Sequence, residues 1–423
     1  MLKASLQKLI SIIQPEKDKS IIDKENLDLS FSNFISHFKE PKKSLMKDID
    51  LIKKCKLTNI ERNLSWLFFL NIIPIKEPSS WKKIISLERE HYSKLRHKYI
   101  TIDIESFIEL KRELDTEKYD NYKSIINVYD FDLLNLIKND IQRTFQEDEI
   151  FKLDIVKKKL ITILYIYAKE NPDVGYQQGM NDICGVFLYV VYKDFYIKTG
   201  FEKDELSSIY SLIHSNNVYL EYDVYLIFNK FMNKGIRQFF LYNTKLYKEN
   251  ILGSITIEEK IKLNLEDIIS TKDSDLKKRI YILFYVHFKQ LDKNFFNFLM
   301  NYIYPELFIL RWYLGVFTRE FKLSQVVFIW DLIIMYEYLE TNSEKNEKKE
   351  INNNKIHLNF IECFALSMLS YFKSDIMQKE DKNEIMSEIM HYPTSDMNIE
   401  KLCKKSIEIY SSLFPDNNNI YNI

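Results

Sequence analysis

The 423 residues predict an all-α fold. Three observations carry that prediction. Apolar residues recur at i, i+3, i+4 and i+7, the stripe a helix buries. Nowhere do apolar and polar residues alternate with the period of two that a half-buried strand needs. Glycine is scarce, and the densest punctuation, Pro172, Gly175 and Gly179, lies between two apolar helical runs. With 46% apolar residues the chain can bury a sizeable core, as two domains or as one large helical domain of two lobes.

Taken in order, Leu2, Leu6, Leu9, Ile10 and Ile13 mark an amphipathic helix over 2–13 that stops before Pro15. Such a helix either lies on a membrane or docks on the protein body, and docking is the commoner outcome. Residues 15 to about 55 are polar and lysine-rich, with scattered Phe31, Phe34 and Phe38, and read as a loosely ordered leader. From about Glu61 the pattern is consistently helical. Arg62, Trp66 and the apolar run to Ile73 make a helix stopped by Pro74. Trp81 to Tyr99 carries a broad apolar stripe, and Leu134, Ile137 and Ile141 mark a helix leading to Arg143 and Thr144. Val156, Leu160, Ile163, Leu164 and Tyr167 line the helix entering the central loop, and Ile183 to Tyr192 is apolar all round, as a buried helix should be. Residues 219–243 and 279–300 give aromatic-rich helices with a polar stretch at 244–278 between them. Pro305 suits the first turn of the next helix, and Ser324 suits the N-cap of Gln325 to Glu337. Thr341 to Lys355 is a charged, asparagine-rich run that reads as a solvated insert. Helices near 358–373 and 400–413 close the chain.

Several functions are excluded or unsupported. A net charge of −1 offers no electrostatic case for nucleic acid. The four cysteines lie far apart with no Cys-x-x-Cys pair, which argues for a reducing compartment and against a disulfide framework or a zinc site. The longest apolar runs fall well short of the roughly 18 residues of a membrane span. Lys3 and Lys8 interrupt the N-terminus, so it does not read as a secretory signal. The expectation is a soluble, cytoplasmic protein, peripheral on endomembranes if the first helix binds lipid. There is no phosphate-cradling glycine loop, no His-Glu-x-x-His pair and no serine elbow.

Chemistry concentrates in three segments. In the first, Asp140 and Arg143 stand i, i+3 on one helix face, where the acid can hold the arginine's stem and leave guanidinium donors free. Alone, that is equally an ordinary surface ion pair. In the second, Tyr176, Gln177, Gln178, Gly179, Met180, Asn181 and Asp182 make a loop whose tip carries neutral amides, able to donate and accept at once. A corner whose amides cap nearby backbone fits as well. The third sets Arg311 and Trp312 before Phe317, Arg319, Glu320 and Phe321, in itself a core helix with ion-paired edges.

Together, and in this order, the segments resemble the TBC domain, the helical module of GTPase-activating proteins for Rab GTPases. Ile137, Asp140, Arg143 and Thr144 meet its Ile-x-x-Asp-x-x-Arg-Thr motif; Tyr176, Gln178, Gly179, Met180 and Asn181 meet its Tyr-x-Gln-Gly-Met-Asn motif. Arg311, Trp312, Phe317, Arg319, Glu320 and Phe321 meet the third, with Trp330 and Asp331 after it. The resemblance covers about residues 57–373, leaving a leader (1–56), the 341–355 insert and a helical tail (374–423).

That resemblance implies that Arg143 and Gln178 are two fingers offered in trans to a Rab GTPase in its GTP form. Arginine would meet the charge that develops on the phosphoryl oxygens, and glutamine would align the attacking water. Asp140 would orient Arg143; Tyr176, Gly179 and Met180 would shape the loop, with Thr144 and Asn181 supporting. Arg311 and Trp312 would belong to the core that fixes the separation of the fingers. Gln177 is a competitor for the water. GTP and Mg would be held by the GTPase, with no cofactor or metal on this chain and no catalytic activity of its own. The alternative is a silent Rab-binding scaffold or a membrane adaptor.

Overall fold

The computed structural model describes residues 31–100, 130–195, 218–243, 275–346, 359–392 and 398–415, with isolated positions at 29, 209, 210, 262, 266 and 268. Every regular element among the described residues is helical, in agreement with the all-α expectation. They group into two compact units, Met1–Asp48 with Thr58–Lys230, and Ile49–Leu57 with Phe231–Ile423. The expected helix at 2–13 lies outside the described residues.

Two helices stand near the start of the described residues, the second running from the first unit into the segment assigned to the second. Residues 31–53, expected to be loosely ordered, form helix α1 (31–39) and helix α2 (Pro41–Lys53). Phe31, Phe34 and Phe38 are not scattered but stand at i, i+3 and i+7, the stripe of a buried helical face. Phe34 and Phe38 pack edge-on against Trp81, at 6.2 and 5.6 Å between ring centroids. Beneath them, His37 faces the Asn33 carbonyl through Nδ1 (2.9 Å) and Asp48 Oδ2 through Nε2 (2.8 Å), and Ser65 Oγ donates to the same carboxylate oxygen at 2.7 Å. Both ring nitrogens therefore face acceptors, which favours the doubly protonated imidazolium.

Helix α3 (Asn59–Phe69) starts on a reciprocal cap between Thr58 and Glu61. It stops at Leu70, earlier than Pro74: Asn71 takes a left-handed φ of 56° and the Ile72 amide reaches back to the Leu67 carbonyl at 2.9 Å. Helix α4 (Trp81–Tyr99) runs as expected and is pinned by charge: Arg89 grips Asp223 with two 2.8 Å bonds, and Tyr92 and Arg96 share Glu221 at 3.0 Å. Helix α5 (Phe131–Ile141) leads to the first motif, and helix α6 (Asp154–Glu170) is buried on almost every side between α4, α5 and helix α7 (Met180–Phe195). Helix α8 (Leu220–Phe231) carries Glu221 and Asp223.

In the second unit the chain passes a π turn at Met232–Ile236, where Gly235 has φ 117°. It then forms α9 (Asp275–Tyr281), a π stretch at Ile282–Phe288, and helices α10 (Lys293–Tyr302) and α11 (Glu306–Gly315). Helices α12 (Leu323–Asn346), α13 (Asn359–Ile376), α14 (Lys382–Met390) and α15 (Ile399–Leu413) complete it, with α15 packed along α13. Two expectations shift. Ser324 lies inside α12, whose start is capped instead by Gln325 Oε1 accepting the Lys322 amide at 3.2 Å. The expected insert at 341–355 is helical to Asn346, because Thr341 and Asn342 hydrogen-bond back to Glu337 and the Tyr338 carbonyl; its remainder lies outside the described residues. A buried polar cluster ties this unit together: Arg279 to Glu362 at 2.5 Å, Tyr410 to Glu340 at 2.7 Å and Lys234 to Glu337 at 3.1 Å. Burial pushes the Glu340 carboxyl up to about 8, so it is held mostly protonated at neutral pH.

Candidate functional site

The site is built where α5 ends. Asp130 caps α5, accepting the Leu133 amide at 3.0 Å, and Leu134, Ile137 and Ile141 turn its apolar side inward. Asp140 lies on that inward side, buried, while Arg143 emerges after the last turn. Phe145 then reverses the chain with a left-handed φ of 43°, and its ring lies against α7 at Gly185. A Cβ at Gly185 would sit 2.9 Å from Phe145 Cε2 and 3.2 Å from Phe151, so only glycine lets these rings reach the α7 backbone.

The loop between α6 and α7 supplies the second half. Asn171 closes α6, with its side chain on the Tyr167 carbonyl at 2.9 Å just before Pro172. Gly175 (φ 64°) and Gly179 (φ 111°) take left-handed backbone that side chains rarely adopt. Met180 is fully buried and anchors the start of α7. Tyr176 is buried too, and its hydroxyl donates to Asp140 Oδ2 at 2.8 Å. Burial and the Asp140 charge push the Tyr176 phenol far above its usual range, so it stays a donor.

One hydrogen-bonded chain therefore stitches the two segments together. Arg143 Nη2 donates to Asp140 Oδ1 at 2.6 Å, and Tyr176 takes the other carboxylate oxygen. Thr144 Oγ1 donates to the Asp140 carbonyl at 3.0 Å and accepts from Asn181 Nδ2 at 2.9 Å. Asn181 Oδ1 accepts the Gly179 amide at 2.9 Å, and Asn181 Nδ2 also reaches Asp182 Oδ1 at 2.7 Å. What this buried chain carries is exposed. The Arg143 side chain is 67% exposed against 4% for Asp140, and Gln178 stands at the surface with no side-chain partner among the described residues. Gln177 does not compete equally, since its amide donates to the Val174 carbonyl at 3.2 Å within the loop.

The structure thus brings Asp140, Arg143, Thr144, Tyr176, Gly179, Met180 and Asn181 into one assembly beside Gln178. Arg311 and Trp312 lie in the second unit. Arg311 pairs with Glu320 at 2.7 Å and points donors at the carbonyls of Met390 (3.3 Å) and Arg319 (3.4 Å). Trp312 is buried among Phe308, Phe317 and Tyr392. These partners lie in the second unit, and the hydrogen bonds that join Arg143 to the glutamine loop are those of Asp140, Tyr176, Asn181 and Thr144. Phe145 and Gly185 were missed from sequence; the readable signal was a glycine inside an otherwise apolar helix.

Known proteins match the chain in sequence family and in fold. The Rab-GTPase-TBC domain model matches residues 62–270 and 260–377. TBC1 domain family member 5 of Mus musculus is 24% identical over 342 residues, 78% of this chain and 38% of that relative. GTPase-activating protein GYP1 of Saccharomyces cerevisiae is 24% identical over 319 residues, 74% of this chain and 41% of that relative. The chain thus spans about two-fifths of the length of these curated relatives. The crystal structure of the Ypt/Rab-GAP domain of Gyp1p superposes with a TM-score of 0.55 at 18% identity, covering 92% of this chain and 99% of that one, which shows a shared fold.

Proposed function

The chain belongs to the Rab-GTPase-TBC domain family, and from that premise we propose that it accelerates GTP hydrolysis by a Rab-family GTPase in its GTP form. Arg143 and Gln178 are the residues it supplies in trans. One observation carries the reading: a single buried hydrogen-bonded chain holds the exposed Arg143 guanidinium and, through Tyr176 and Gly179, the backbone on either side of the exposed Gln178. Order matters because phosphoryl transfer leaves little covalent work for protein groups. Positioning and electrostatic stabilisation are what an activator can add.

Arg143 is suited to the charge that spreads over the phosphoryl oxygens. Its fork is permanently charged, and the bond to Asp140 uses one nitrogen and leaves the others free. Gln178 is suited to orienting water, since its amide can accept from the nucleophile and donate to the acceptor. Asp140, Tyr176, Thr144 and Asn181 act through these two and are positioning residues. GTP and Mg²⁺ belong to the GTPase, and the chain contributes no cofactor. Such an activity would act at the cytoplasmic face of endomembranes and limit how long a Rab directs vesicle traffic.

Single-turnover GTP hydrolysis across a panel of purified Rab proteins tests this. One or a few Rabs should accelerate strongly, and Arg143→Ala and Gln178→Ala should each remove most of the gain. A chain that binds GTP-loaded Rab without accelerating any of them would be a scaffold, and the proposal would fail.

A further inference from the structure

Helix α2 has two faces of opposite character. Ser44, Leu45, Asp48, Ile49 and Ile52 are buried, so the apolar side of the helix is spent on the protein. The opposite side is exposed and carries Lys42, Lys43, Met46, Lys47, Asp50 and Lys54. Residues 39–56 hold seven lysines, no arginine and three acids. Of those acids, Asp48 is turned inward onto His37, while Glu40 and Asp50 are exposed and paired with Lys43 (2.9 Å) and Lys54 (2.7 Å). Lys47 leans on Glu61 of α3 at 3.4 Å. Even with Glu61 counted beside the two exposed acids, the segment keeps an excess of four positive charges. The whole chain carries −1, so the excess is local.

We propose that this outward face of α2 docks on an anionic phospholipid bilayer, its lysines against the headgroups and Met46 entering the interface. Acidic lipids present a diffuse negative charge, and a basic cluster on an amphipathic helix gains from each lysine brought near it. Lysine, a point charge on a flexible stem, suits such a field. Directional capture of a phosphate or carboxylate on a peptide favours the arginine fork, which is absent from this segment. Met46 is 39% exposed and lies one turn from Lys42, Lys43 and Asp50. An apolar side chain among lysines fits the boundary between headgroups and acyl chains.

The surface ion pairs do not oppose this. Exposed pairs are worth little, and their lysines can exchange a side-chain carboxylate for a lipid phosphate. Because the apolar side of α2 is buried in the protein, the contact is mainly electrostatic, reversible and weakened by salt. It uses none of the residues around Arg143 and Gln178.

The test sediments the full chain with phosphatidylcholine vesicles made with and without about 30% phosphatidylserine. Binding should require phosphatidylserine and fade as salt rises from about 0.1 to about 0.5 M, because the screening length shortens. Lys42→Gln, Lys43→Gln and Lys47→Gln should each weaken partitioning about fivefold, and the triple variant about a hundredfold. Arginine at the same three positions should preserve binding, and Met46→Asp should weaken it without changing the lipid preference. Every variant should melt with the wild type, since these side chains are largely exposed. A wild type that ignores phosphatidylserine vesicles overturns the proposal. So does equal binding with and without phosphatidylserine, or a folded triple variant that binds like wild type. Capture by polyglutamate in place of vesicles assigns the face to an acidic protein and overturns it too. None of these readouts depends on GTPase activation.

Discussion

Of the arginine–carboxylate pairs among the described residues, one in each unit can be set side by side, alike in length and opposite in effect. Arg143 meets Asp140 at 2.6 Å, and Arg311 meets Glu320 at 2.7 Å. In both, the acid is buried. The difference lies in where the remaining guanidinium donors go. Those of Arg143 face solvent, because Tyr176 already satisfies the second oxygen of Asp140. Those of Arg311 turn onto the carbonyls of Met390 and Arg319 and close a corner of the second unit's core. A salt bridge is therefore not a function: the first pair aims a charge outward, and the second fastens a fold.

Substitutions can break that contrast. Arg143→Ala should cost on the order of 10³–10⁵ in stimulated GTP hydrolysis. Its unfolding free energy should fall by only about 1 kcal/mol in urea titrations, because Tyr176 still donates to the buried Asp140 after the largely exposed guanidinium is gone. Arg311→Ala should show the reverse, losing about 3 kcal/mol of stability by leaving Glu320 buried without its cation. Burial already raises the Glu320 carboxyl, so the variant's deficit should deepen as pH rises and that group is forced to ionise. If Arg311→Ala melts like wild type but fails to activate, the contrast collapses.

Smaller changes sharpen it. Gly185→Ala should cost about 2 kcal/mol by overpacking against Phe145, with a fall in kcat at unchanged KM. Tyr176→Phe removes one buried bond to Asp140; about 1 kcal/mol and a several-fold lower kcat are expected, with Rab binding retained. The smallest effect concerns a third pair, His37–Asp48, in which both ends are buried. Burial alone would lower the His37 pKa, but the bond and charge of Asp48 and the Asn33 carbonyl outweigh it, and the net shift is upward. Its stabilising contribution is thus full below the unfolded value near 6.5 and lost as pH rises through the folded value. Melting curves should show that decline, and His37→Gln should flatten it.

Much of this was legible in the sequence. The three motifs singled out Arg143, Gln178 and Asp140, and local spacing alone foretells the bond between Asp140 and Arg143. Local spacing could not say which glutamine is free, since Gln177 is tied down by a loop carbonyl whose position depends on Gly175. Nor could it show that Asp140 is shared with Tyr176, a contact across 36 positions that only the packing of α5 on α6 and α7 creates. The leader was misread for a related reason. Its lysines face outward and raise the overall polarity, while Phe34, His37 and Asp48, few in number, make the buried contacts.

The notch at Gly185 has a consequence for descent. A Cβ at position 185 would crowd the Phe145 ring while that ring stays where it is. What is tolerated at either position therefore depends on the residue at the other. A side chain at 185 calls for a smaller one at 145 or a displacement of that ring.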